Sequence, residues 1–155
     1  MQFIATYNYY IGELMQTFLP LDSIPLSMTA LDDKRLGKQR VEALQIIKAL
    51  TIDDYGWKNH PCVKMWDGHL DWLKYYMKCA IKEWIRRGFK NTMIIDEDYN
   101  LTEDNKPNWL GDDRVHGSHR ANLIRKDPKY YSKHKWTDDP STPYYWAGFG
   151  KGESE

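Results

Sequence analysis

Apolar residues recur along this chain at the three- and four-residue spacing of helices that bury one face. The pattern is clearest where Trp66, Leu70, Leu73, Met77, Ala80, Ile81 and Trp84 follow one another, and Arg86, Arg87 and Gly88 supply the basic last turn and glycine stop of a helix end. His60-Pro61 opens this region with proline at a tolerated first-turn position, and Gly68 marks a kink or break. Upstream, Leu36, Ala43, Leu44, Ile47 and Leu50 form the apolar stripe of a long helix that Ser27 or Thr29 can cap and that "DDYGW" ends. A third, shorter helix is predicted from about Asp112 to Lys126, stopped by Asp127-Pro128. Residues 91–113 read as a polar loop in which "TMII" can be extended. The aromatic, proline-broken sequence after Asp127 reads as a wrap over the helices. The prediction is an all-α, compact single domain of about three main helices with long loops and an aromatic C-terminal wrap. Its boundaries are an N-terminal extension over 1–14, the domain over 15–150 and a flexible tail over 151–155.

Two helices carry polar residues where the pattern calls for apolar ones. On the first, Lys34, Arg35, Lys38, Gln39, Glu42 and Gln45 fall opposite the apolar stripe, but Arg40 sits four residues from both Leu36 and Leu44. A guanidinium there must snorkel to solvent, pair with a carboxylate or line a pocket. Gly37 costs about 1 kcal/mol relative to Ala inside a helix, which points to close approach by another backbone or a ligand, or to a kink. On the third helix, His116, His119, Arg120 and Leu123 share one face. Two histidines one turn apart can ligate zinc, but "HGSH" matches no standard metal motif, so no metal is expected. Beside Arg120 they can donate to phosphate oxygens or flank a flipped base, with Trp66, Trp109 and Tyr130 as stacking surfaces. Ordinary buried histidines satisfied by hydrogen bonds are the alternative.

Composition narrows the class. The 155 residues amount to one domain, and 41% hydrophobic residues with seven Trp and eleven Tyr suffice for a core. No apolar run spans a membrane and no signal peptide is evident, so a cytoplasmic protein without a membrane partner is expected. Cys62 and Cys79 form neither a metal pair nor, in that compartment, an expected disulfide. The net charge is zero but unevenly spread. Residues 31–90 carry thirteen basic against eight acidic residues, residues 91–113 one against seven, and residues 114–136 seven against one. Segregated charge lets a neutral protein present a phosphate-binding face, although solvated helix faces give the same pattern.

Three blocks together carry a family resemblance: "LDDKRLGKQRVEAL", "HPCVKMWDGHLDWLKYYMKCAIKEWIRRGF" and "VHGSHRANLIRKDPKYY". From about Met15 to Tyr131 the chain resembles the pyrimidine-dimer DNA glycosylase (endonuclease V-like) family, and most closely a bacterial and phage branch whose members begin near "MQTFLP". The resemblance implies an all-α DNA-binding domain that kinks duplex DNA and removes a damaged or modified pyrimidine, with AP lyase activity when an imine forms. It implies no cofactor and a monomer. In the family an N-terminal threonine amine attacks the sugar and a first-helix glutamate supports the chemistry. Here Thr17 is internal, and anchoring on Arg40-Val41 places Gly37 where the glutamate would stand. Two substitutes are open: Lys38 as amine with Glu42 as acid or base, or His116 or His119 activating water. The candidate nucleic-acid contacts are Arg35, Lys38, Gln39, Arg40, His60, Trp66, His69 and Arg120. The competing reading is a module that binds DNA or a nucleotide in the same basic pocket and performs no chemistry.

Overall fold

The computed structural model describes residues 15–147. The extension over 1–14, the tail over 151–155 and residues 148–150 lie outside the described residues. Among the described residues, six α-helices and a short 3-10 turn make up the regular structure: α1 Ile24–Ala30, α2 Asp33–Thr51, α3 Pro61–Trp66, α4 Leu70–Arg86, α5 Asp113–Lys126, α6 Pro128–Tyr131 and a 3-10 turn Ser132–His134. There is no strand among the described residues, and "TMII" lies in irregular chain. None of these helices is long and apolar enough to cross a membrane.

Local chemistry sets the boundaries. The first long helix is two, because Asp32 rather than Ser27 or Thr29 caps α2, accepting the Arg35 N–H, while Ser23 caps the short α1 ahead of it. Ser27 is instead buried and exchanges hydrogen bonds with both backbone groups of Leu21. The expected break at Gly68 is complete: its φ of 86° is in the left-handed region glycine tolerates, and it separates α3 from α4. His60 caps α3 through Nδ1, which accepts the Cys62 N–H at 3.0 Å.

Helix α4 is the central element, packed against α2 and α1. At the α2–α4 crossing a Cβ on Gly37 would lie 3.0 Å from the Trp84 ring, so what approaches this glycine is a side chain and not the backbone or ligand expected. Arg40 lies beside it, with its guanidinium 4.1 Å from the centre of the same ring. Helix α5 packs mainly on α6 rather than along α2.

The fold has one feature that no helical pattern announces. Residues 16–20 run as irregular, buried chain with no strand among the described residues to pair with, and Leu21 follows half-buried, so the backbone groups of this threaded segment need other partners. Side chains supply them. Leu19 N–H donates to His119 Nδ1 at 2.8 Å, and His116 Nδ1–H donates to Leu19 O at 2.8 Å. Phe18 N–H points at Gln39 Oε1, 3.1 Å away, while Tyr76 Oη donates to Phe18 O at 2.9 Å. Gln39 Nε2 donates to Gln16 O at 3.1 Å, and Arg120 Nη1 to Pro20 O at 2.9 Å. Thus "HGSH" places two imidazoles, one turn apart, on the two polar atoms of a single buried peptide residue.

Candidate active site

The first turns of α2, the threaded segment and the last turn of α5 enclose a cavity of about 250 Å³ lined by Gln16, Phe18, Arg35, Lys38, Glu42 and Lys126, with Lys34 and Gln39 completing the wall. On α2, residues 34, 38 and 42 are successive i, i+4 positions and form one row. Lys34 and Lys38 are exposed and Arg35 is half-buried against Asp32, 3.3 Å away. Lys126 enters from the opposite wall. Four cations therefore surround the opening.

Glu42 lies at the floor, almost fully buried. Its Oε2 accepts Gln39 Nε2–H at 2.6 Å and the Gln16 backbone N–H at 3.4 Å. Burial pushes its pKa up to about 8, a shift that these N–H donors and the positive charges of Lys38 and Lys126 only partly oppose. At neutral pH the group is mostly a carboxylic acid inside a cationic rim. That combination suits a proton donor to a leaving group near phosphates.

The remaining residues singled out in the sequence do not all join this cavity. Arg40 lies about 160° around α2 from Glu42, on Trp84 and 3.7 Å from Met93 Sδ, so it faces α4 and not the pocket. Arg120 is committed to Asp138 at 2.7 Å and Asp113 at 2.8 Å. His119 is fully buried, and its accepting Nδ1 leaves the ring hydrogen on Nε2. Burial pushes its pKa down to about 3, with His116 and Arg120 adding to the shift. It therefore has no lone pair to activate water. His116 has Gly111 N–H on Nε2 at 2.8 Å and Leu19 O on Nδ1, so it too is fully engaged. Trp66 is completely buried, donating to Thr17 Oγ1 and packing edge-on against Trp109, and offers no ring face to a base. His60 caps α3 beneath Trp146, and His69 Nδ1 is tied to Asn105 O at 3.0 Å. Thr17 Oγ1 lies 2.9 Å from Cys62 Sγ, inside the core. Both cysteines are free.

A family profile for pyrimidine dimer DNA glycosylases matches residues 15–97, which is more than half of the sequence. The chain belongs to the pyrimidine dimer DNA glycosylase family. No curated protein and no solved structure matches the chain. The matched region contains the threaded segment, α1 to α4 and the whole α2 wall of the cavity. The opposite wall of this glycosylase-family pocket, Lys126 on α5, comes from outside the match. Sequence reasoning located Arg35, Lys38, Gln39 and Glu42 but missed Lys34, Lys126, Gln16 and Phe18. The signal for Lys126 was the excess of positive charge over 114–136. Gln16 and Phe18 carried none, since it is mainly their place in the threaded segment that brings them to the site.

Proposed function

We propose that the cavity at Glu42 is the active site of a DNA glycosylase that removes a damaged or modified pyrimidine from duplex DNA. The observation that carries this reading is a buried carboxyl at the floor of a pocket rimmed by Lys34, Arg35, Lys38 and Lys126, where burial raises its pKa. Such a group is costly to a fold and useful for proton transfer, and the rim supplies charges for the phosphates flanking the reacting sugar. Membership of the family supports DNA as the substrate.

In this reading Glu42 gives its proton to the departing pyrimidine as the C1′–N1 bond breaks, and the electron pair of that bond stays on the base. Lys38 Nζ, on the same row of α2, forms the new bond to C1′ and gives up a proton. Opening of the sugar then leaves an imine, from which loss of the 3′ phosphate by elimination cleaves the strand. The Gln16 backbone nitrogen also lies at this spot, 3.4 Å from Glu42 Oε2, and it would become an amine in a chain beginning there.

The test is excision from duplexes containing a cyclobutane dimer or an abasic site, followed by borohydride reduction. Full-length protein should cleave the glycosidic bond at the dimer and form a covalent adduct with either duplex, and Lys38→Met should lose the adduct while still binding the duplex. An adduct that survives in Lys38→Met but requires a chain starting at Gln16 assigns the amine to the terminus instead. Base release without any adduct removes the imine and the lyase step. Tight duplex or nucleotide binding with no base release replaces the enzyme by a binding module.

A further inference from the structure

Gln39 is the side chain through which the threaded segment meets Glu42. Its Nε2 donates to Gln16 O at 3.1 Å and Glu42 Oε2 at 2.6 Å, and its Oε1 faces the Phe18 N–H and the Tyr76 hydroxyl. A primary amide has two donors and two acceptor sites, and here both donors and the acceptor site facing the Phe18 N–H are used inward. Turning the amide over would set its NH₂ against the Phe18 N–H and its oxygen against Gln16 O, so the orientation is fixed by its surroundings. Gln39 thus turns its amide into the interior rather than out to solvent, where the polar face of α2 had implied it would lie. It is 1% exposed.

The fixed amide has a consequence for the carboxyl. Glu42 Oε2 receives N–H groups from both Gln39 and Gln16, and an oxygen already facing two donors does not also hold the acid hydrogen. Oε1 has no hydrogen-bond partner among the described residues and is the oxygen left to the cavity that Glu42 lines. We propose that Gln39 is a positioning residue for base removal, holding the proton of Glu42 on Oε1 so that it is delivered into the pocket. The inference rests on the glycosylase reading of that pocket. During the reaction the proton passes from Oε1 to the leaving pyrimidine. The charge left on the carboxyl is then stabilised at Oε2 by the same Gln39 N–H, and the proton released by the nucleophile restores the acid.

The prediction for Gln39→Met is a single-turnover excision rate at least tenfold lower, with duplex affinity within about twofold of the parent, because positioned acid catalysis contributes roughly 10²–10⁴ in rate. The readout that separates positioning from mere support is the basic limb of the pH–rate profile, where Glu42 loses its proton. Removing a donor to the carboxylate raises the pKa of that group, so the limb should move to higher pH. Tyr76→Phe leaves both Gln39 donors in place and should leave the limb where it was.

If Gln39→Met does not fold, Gln39→Glu keeps the shape but can donate at most one proton to Gln16 O and Glu42, and the same upward movement is expected. Carbon-13 titration of the Glu42 carboxyl in DNA-free protein measures the coupling independently of activity. A parent protein without excision overturns the glycosylase reading but not the coupling. A parent with excision whose basic limb and Glu42 titration are unmoved in the Gln39 variants overturns the positioning role. Equal movement of the limb in Tyr76→Phe also overturns it, since the donor would then not be its cause.

Discussion

Replacing Glu42 by Gln should stabilise the protein while disabling it. The glutamine carbonyl can take the place of Oε2 and accept from Gln39 and Gln16, and its NH₂ group points to the cavity. What disappears is the ionisation. In the unfolded chain Glu42 titrates near the ordinary value of 4.5, whereas in the folded protein burial holds it at about 8. Between those values the folded state binds a proton that the unfolded state has released, so wild-type stability falls as pH rises through this window. The glutamine variant has no such dependence. Its advantage should be near zero at pH 4.5 and on the order of 3 kcal/mol at pH 7, levelling off above pH 8. Urea denaturation of the two proteins at pH 5, 7 and 8 measures the difference directly, and excision by the variant should fall by roughly 10²-fold or more. A variant equally stable at all three pH values would show that the carboxyl is solvated or ionically paired in solution, and the acid role would fall with it.

Three further substitutions examine the surroundings. Gly37→Ala should destabilise by about 1–2 kcal/mol despite the better helix propensity of alanine, because the new methyl meets the Trp84 ring, held by Phe89 stacking and by the Lys90 carbonyl; a stabilised variant would mean that the ring moves freely. Arg40→Gln should lose about 1 kcal/mol of stability with the cation–π contact and leave duplex affinity unchanged, so a large loss of binding would place Arg40 on the DNA. His60→Asn should keep the α3 cap, with the asparagine oxygen taking the Cys62 N–H, but flatten the acid side of the stability curve. Burial lowers the folded pKa of His60 to about 4, so between pH 6.5 and 4 only the unfolded chain takes up this proton, and stability is lost as pH falls. An acid limb as steep in the variant as in the parent would exclude His60 as its source.

The helices were legible because their signals are local. Pro61, Gly68, Gly88 and Asp127-Pro128 mark ends within a few residues of where the chain turns, and the stripe from Trp66 to Trp84 names its own buried face. The close approach at Gly37 was also readable, as a glycine in a helix interior, although its partner Trp84 was not. Periodicity misjudged the polar face of α2, where Gln39 and Glu42 are buried. A helix wheel distinguishes apolar from polar residues, not solvent from a second, polar interior. The same blindness made His116, His119 and Arg120 look like a phosphate site. Their partners, Leu19 and Pro20, are backbone groups about a hundred residues away, and a backbone carbonyl leaves no trace in the residue it belongs to. Within the pocket, Lys38 and Glu42 were found because they share a helix with the charge run, while Lys126 needed the tertiary fold to cross the gap.

The threaded segment has a kinetic meaning as well. Apart from the Leu21–Ser27 pair, its hydrogen-bond partners lie 21 to 100 residues away along the chain, so its seat exists only after α2, α4 and α5 have assembled, and contacts of such separation form late. Glu42 acquires its buried environment at that same late step. A nascent or partly assembled chain has an ordinary, ionised carboxylate at position 42, and the acid role proposed for it becomes available only on completion of the fold itself.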